Sequence, residues 1–164
     1  MANLRMLARL FNILRYVLGG GGLYIALTQL NSDVSHAVAT ATLTAVGFVG
    51  VLSFVSHVFL HAQDAKQIGF RANAPSFQFE VGFANLAFGV VALISYFAQW
   101  GLRTNTALLL AYALYLLQAA ILHAYTARAS KKTRKANLTR AGLTFVFSGL
   151  MLYVAVQALR SAQF

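Results

Sequence analysis

Four polar residues of types that bind ligands or transfer protons interrupt the apolar segments of this 164-residue chain: His57, Glu80, Asn85 and His123. His57 and His61 are four residues apart, so a helix would place both on one face. Glu80 is the only glutamate, and an ionisable group in an apolar segment is costly unless it is paired or faces a cavity. Asn85 can donate and accept hydrogen bonds toward a neighbouring helix. These residues predict a polar site inside an apolar fold.

A metal ion is the first ligand that this set suggests. Imidazole and carboxylate groups suit a transition metal, and helical bundles build such sites from side chains on facing helices. The predicted ligands are His57, Glu80 and His123, with His61 as an additional candidate. The segment HVFLH lacks the glutamate that a zincin helix carries directly after its first histidine, so it is not a metalloprotease motif.

Two other interpretations of the same residues stay open. Histidine titrates near neutrality, so His57 and Glu80 could exchange protons with a small molecule in a pocket. In the structural interpretation, His61 and His123 lie at the lipid interface, and Glu80 pairs with Arg71 or Lys66 or caps its helix, without any ligand. Haem is disfavoured, because the histidines lie near one surface and the chain has no cysteine for a CxxCH attachment.

The composition indicates the elements that must position this site. The chain is 59% hydrophobic and 10% charged, whereas soluble domains carry about 25% charged residues. Apolar runs near the roughly 20 residues needed to cross a bilayer predict a single domain, an all-α integral membrane helical bundle. Four core transmembrane helices and a fifth at the N-terminus are expected at about residues 12–30, 37–61, 78–99, 106–127 and 141–160.

The first span is the weakest of the five. Arg15 lies inside it, and the consecutive glycines 19–22 disfavour a helix. Residues 1–18 could instead lie amphipathically in the membrane interface, so the sequence leaves open whether residues 1–30 cross the bilayer.

The distribution of the 13 Lys and Arg residues predicts the orientation. If the spans alternate, the N-terminus, residues 62–77 and the basic loop 128–140 share one side, and the other side holds only Arg103 and Arg160. By the positive-inside rule the first side is cytoplasmic, so we expect a cytoplasmic N-terminus and a periplasmic C-terminus. This pattern favours contact of loop 128–140 with anionic lipids and disfavours nucleic acid as a partner, despite the net charge of +10.

Several of these segments resemble a family of small bacterial multi-spanning membrane proteins, the domain of unknown function 6790. The resemblance covers about residues 45–126 and is carried by His57, the QIGF turn ending at Phe70, PSFQFEVGFANLAFG at residues 75–89, and ILHAY at residues 121–125. It implies a bacterial inner-membrane protein. The residues that it picks out are His57, Glu80, Asn85 and His123, and it does not pick out His61.

The expected function is that of a small membrane protein with a buried His/Glu/Asn site near the cytoplasmic side that binds a metal ion or small ligand. One alternative is a non-catalytic accessory subunit of a larger membrane complex. Another is a proton-coupled transporter or channel, which would require a homo-oligomer. Catalysis needs an open coordination position or a cavity that admits substrate, and the sequence by itself indicates neither.

Overall fold

The computed structural model of the chain describes residues 2–63, 76–129 and 131–161. Within these ranges the fold is an all-α helical bundle, and five helices are long and apolar enough to cross a membrane. The five helices are α1 (Ala2–Gln29), α2 (Val34–Val58), α3 (Ser76–Phe97), α4 (Leu102–Ala129) and α5 (Arg134–Ser161). Residues 64–75, which include the QIGF turn and the candidate partners Lys66 and Arg71, lie outside the described residues.

The second helix begins at a side-chain cap and changes its pitch inside the span. Asp33 accepts a hydrogen bond from the backbone N–H of His36 at 2.9 Å, which satisfies one of the unpaired donors of the first turn. Residues Thr42–Phe48 then form a π-helical segment before the α-helix resumes at Val49. At the start of that segment Thr42 donates to the backbone carbonyl of Asn105 at 3.2 Å, which ties α2 to α4.

Successive helices run in opposite directions, so the bundle has two distinct ends. One end, called here the basic end, is formed by the start of α1, the end of α2, the start of α3, the end of α4 and the start of α5. The buried apolar core lies toward the opposite end. Its four largest fully buried side chains are Tyr112, Leu23, Leu109 and Met151. Tight packing is therefore concentrated in one half of the bundle.

Helix α1 is continuous through its four glycines and packs on α2. A Cβ atom on Gly22 would overlap the side chain of Thr44, so only glycine allows this approach. Gly20 and Gly21 face outward, with no atom within 4 Å of such a Cβ. Leu23 and Ala26 enter the common core. The expectation that the glycines weaken this helix is wrong, because close packing against α2 offsets their low helix propensity.

A close approach of two backbones joins α2 to α3. A Cβ atom on Gly50 would lie 2.6 Å from the backbone oxygen of Asn85, and one on Gly89 would lie 2.9 Å from the backbone nitrogen of Val51. Without a hydrophobic force between helices in lipid, such small-residue contacts let backbones pack closely. This contact fixes the position of Asn85 on α3.

The observed boundaries differ from the predicted ones mainly at the basic end. Helix α2 ends at Val58, so His61 follows the helix rather than closing it. Most of the predicted basic loop 128–140 is helical, since α4 continues to Ala129 and α5 begins at Arg134. Hydropathy marks where a chain leaves the hydrocarbon, and a helix can continue beyond that point because Lys and Arg are good helix formers.

Replacement of Gly50 by alanine should destabilise the bundle, because the new methyl group meets backbone that cannot rotate away. We expect Gly50→Ala to cost about 1–3 kcal/mol, as overpacking does elsewhere, and to lower the melting temperature in detergent. The matched control is Gly142→Ala, where a Cβ meets no atom within 4 Å and alanine's higher helix propensity should leave stability equal or slightly raised. Equal melting temperatures for the two variants would contradict the proposed close contact.

Candidate functional site

A cavity of about 910 Å³ lies inside the basic half of the bundle, and all five helices contribute to its walls. This volume is in the range of pockets that hold small organic molecules. Apolar side chains such as Val49, Val81 and Leu116 alternate with polar ones along the walls. The cavity is therefore suited to a ligand of mixed polarity.

Cationic side chains dominate the charge of the cavity wall. Arg15 of α1, Arg140 of α5 and the rim residues Lys132 and Lys135 line it, whereas no carboxylate is among the described lining residues. Of the three acidic residues in the chain, Asp33 caps α2 at the opposite end and Asp64 lies outside the described residues. The described part of the cavity wall thus carries more basic than acidic side chains.

Arg15 reaches the cavity from inside a hydrophobic span. It lies within the first candidate span, between the apolar residues Leu14 and Val17 of the sequence. Its guanidinium donates to the hydroxyl of Ser53 on α2 at 3.2 Å and to Oδ1 of Asn12, one turn earlier on α1. Polar contacts thereby hold a cation at a depth where it would otherwise be costly.

Asn85 is the centre of a hydrogen-bond network at the floor of the cavity. Its Nδ2 donates to the hydroxyl of Tyr115 at 3.0 Å and to the carbonyl of Val81 at 2.7 Å. Its Oδ1 accepts a hydrogen bond from the hydroxyl of the fully buried Tyr112 at 2.7 Å. The network joins α3 to α4 and fixes the orientation of the amide, so Asn85 serves as a rigid part of the cavity wall.

Gln78 is a buried polar side chain whose unmet hydrogen bonds indicate a ligand. The residue is 4% exposed and lines the cavity one helical turn nearer the basic end than Gly82. Neither Nε2 nor Oε1 of its amide has a hydrogen-bond partner among the residues that the structure describes. A buried amide without partners costs about 1–3 kcal/mol, so a molecule in the cavity that offers both a donor and an acceptor would be stabilised here.

Three of the four predicted site residues line this one cavity: His57, Asn85 and His123. His123 also lies within hydrogen-bond distance of α5, because its Nδ1 is 3.3 Å from Oδ1 of the buried Asn137. His61 is not among the lining residues. Its Nδ1 is 3.0 Å from the carbonyl oxygen of Val58, and its ring packs edge-on against Phe79.

Glu80 does not reach the cavity, contrary to its predicted place in the site. Its side chain is exposed on α3, on the outer face that also carries Phe83, whereas Gln78, Gly82 and Asn85 form the buried stripe. Glu80 lies only four residues from the start of α3, so its carboxylate stays near the membrane surface, where a charge is tolerated.

The predicted metal ligands are not brought together. No group of three or more His, Cys, Asp or Glu residues that could hold a metal ion occurs in the part of the chain that the structure describes. His57 and His123 line the cavity while Glu80 faces outward, so the set of His57, Glu80 and His123, with or without His61, lacks its carboxylate. The cations on the same wall also disfavour a bound cation.

Sequence reasoning misses Arg15 and Gln78 as parts of the site. It treats Arg15 as a weakness of the first span, although an ionisable residue inside a span indicates function by default. Gln78 and Asn85 are seven residues apart, which is two helical turns, so that spacing identifies the same face of α3. The depth of Tyr115 in its span suggests an inward side chain near His123, but the sequence favours core packing for it, because its role depends on the contact between α3 and α4.

The fold and this cavity define a membrane-spanning helical protein with a ligand-sized chamber of mixed polarity in one half of its bundle. The model of a family of unknown function (DUF6790) matches residues 10–163, and the chain belongs to that family. The match is wider than the residues 45–126 that carried the resemblance, and it includes most of α1 and all of α5. Neither the curated proteins nor the solved structures include one that matches the chain.

Removal of the Asn85 amide should unfold the bundle more readily, because it leaves the hydroxyl of buried Tyr112 without its acceptor. We expect Asn85→Leu to lower the free energy of unfolding by about 1–3 kcal/mol. Tyr112→Phe removes the other partner, and the double variant should be more stable than the sum of the two losses predicts, because no polar group is then left unpaired. Thermal unfolding in detergent measures all three, and strictly additive losses would show that the two side chains do not interact.

Proposed function

We propose that this membrane protein binds an anionic small molecule in the cavity of its basic half. The observation that carries the proposal is the charge of the wall, where Arg15, Lys132, Lys135 and Arg140 converge with no described carboxylate. An anion would complement that charge, and its attraction is strengthened where protein and lipid lower the effective dielectric constant. His57 and His123, on the same wall, supply ring nitrogens that donate to an anion when protonated.

The guanidinium groups suit particular anions. Arginine presents a planar set of donors that matches the oxygens of phosphate or carboxylate, while lysine acts as a flexible point charge. Arg140 and Arg15 lie farther into the bundle than the exposed rim residues Lys132 and Lys135. We infer a path in which the lysines attract an anion and the arginines, with the amides of Gln78 and Asn85, orient it.

The orientation of the protein belongs to the same proposal. With the basic end on the cytoplasmic side of a bacterial inner membrane, the cavity would open toward cytoplasmic anions and toward the anionic lipids of that leaflet. The excess of Lys and Arg in the segments that form this end supports the assignment.

The orientation predicts opposite locations for the two termini. Alkaline phosphatase fused to the C-terminus should be active in a bacterial host, because that enzyme matures only outside the cytoplasm. A fluorescent protein that folds only in the cytoplasm should be bright when fused to the N-terminus. An inactive phosphatase together with a bright C-terminal fluorescent fusion would reverse the orientation.

Adjacent lysines provide a matched test of the binding site. Lys132 lines the cavity and Lys131 does not, although both are exposed in the same turn. Inorganic phosphate should raise the melting temperature of the detergent-purified protein above that in chloride of equal ionic strength. We expect Lys132→Gln to weaken phosphate binding by about tenfold, as loss of a charge-assisted contact of about 1.5 kcal/mol would, and Lys131→Gln to leave it unchanged.

Two outcomes would contradict the proposal. Equal losses in the two lysine variants would indicate general attraction to the basic surface and not a site in the cavity. No phosphate-dependent rise in the wild type, even at low ionic strength where screening is weak, would argue against anion binding altogether.

A further inference from the structure

We infer that the ligand is an anionic membrane lipid whose phosphate headgroup carries a hydroxyl, the chemistry of a phosphatidylglycerol. This inference rests on the proposed anion site and specifies what occupies it. Three independent features of the cavity support it: the crevices between its helices, the combination of apolar and basic side chains in its walls, and the unsatisfied amide of Gln78.

The gap between α3 and α4 is where we infer that the cavity opens toward the bilayer. Helix α3 packs mainly on α2, and α4 packs mainly on α5, so contacts between α3 and α4 are sparse. Two large apolar side chains of this pair line the cavity and are also partly exposed, Phe77 at 45% and Leu122 at 39%. A crevice with apolar edges in the membrane-spanning part of the protein admits a molecule from the bilayer.

We infer a second crevice between α1 and α5, which also contact each other sparsely. Tyr16 and Leu143 line the cavity there and are 55% and 45% exposed. Acyl chains can leave a cavity through such crevices and remain among other lipids. The apolar wall formed by Val81, Leu116 and Phe147 offers contact to the part of the lipid next to its headgroup.

The charged groups match the headgroup of such a lipid. Anionic lipids concentrate negative charge at the membrane surface, which attracts nearby Lys and Arg side chains. Lys132 and Lys135 at the rim lie where that surface would be, and Arg140 follows one turn further into the bundle. A zwitterionic headgroup would bring its own cation against these side chains, so the wall favours a lipid with net negative charge.

Gln78 adds a requirement for a hydroxyl. Its Nε2 needs an acceptor and its Oε1 needs a donor, and no described residue supplies either. A phosphate ester provides acceptors only, whereas a glycerol headgroup provides hydroxyl donors as well. The position of Gln78 beside the crevice edge residue Phe77 places this amide where a headgroup entering between α3 and α4 would pass.

The test measures binding of three probes to the full chain in detergent micelles: phosphatidylglycerol, its water-soluble headgroup analogue glycerol 3-phosphate, and phosphatidylcholine. We expect phosphatidylglycerol to bind at least tenfold more tightly than either of the other two. Glycerol 3-phosphate binding as tightly as the lipid would overturn the inference and leave the proposed anion site standing. Equal binding of the two lipids would overturn the requirement for net charge. Binding of none of the three would overturn both proposals.

A pair of glutamine variants tests the headgroup contact. Gln78→Leu should lower affinity for phosphatidylglycerol by about tenfold while leaving the melting temperature of the lipid-free protein equal or higher, because it removes an unsatisfied buried amide. Gln157→Leu, at the opposite end of α5 and outside the cavity, should change neither quantity. Unchanged lipid affinity in Gln78→Leu, with the protein folded, would show that the amide does not contact the headgroup.

Discussion

The accommodation of Arg15 inside a hydrophobic span is the constraint on which the basic half of the bundle depends. A charged side chain near the centre of a membrane helix costs about 2.5–3.5 kcal/mol on insertion scales. The helix backbone cannot offset this cost, because its polar groups are already hydrogen-bonded to one another. Asn12 and Ser53 accept hydrogen bonds from the guanidinium, which brings α1 and α2 together around a polar centre. The polar walls of the other three helices continue around that centre and enclose the cavity.

Much of the fold could be predicted because the membrane restricts the alternatives. Every backbone polar group in hydrocarbon must be satisfied within the structure, so long apolar runs without a strand pattern predict helices. The state of α1 could not be predicted, since glycine propensity is a local property and the contact of Gly22 with Thr44 is a tertiary one. The start of α5 at Arg134 was missed for a related reason, because charge predicted a loop where the helix simply leaves the hydrocarbon.

The sequence predicted those residues of the candidate site whose polar side chains lie on the inward face of their helices. His57, Asn85 and His123 meet at one cavity because their helices run in alternating directions and bring them to one end. Glu80 shows the limit of arguing from charge alone. It lies two residues from Gln78, about 200° around the helix, so burial of one side chain turns the other outward. Knowledge of which stripe of α3 packs on α2 was needed to choose between them, and Gly50 and Gly89 determine that stripe.

The division of the bundle into two unlike halves explains how one small protein can be both stable and open. Toward the opposite end, small residues and fully buried side chains such as Tyr112 and Met151 allow close packing, which is the main source of helix association in lipid. Toward the basic end, α3 and α4 contact each other sparsely, and the Asn85 network marks the boundary between the two regimes. Beyond that boundary, the α2–α3 and α4–α5 pairs are each packed together, but little contact joins α3 to α4. A ligand bound there would therefore also fill the space between α3 and α4 and stabilise the packing of these two helices.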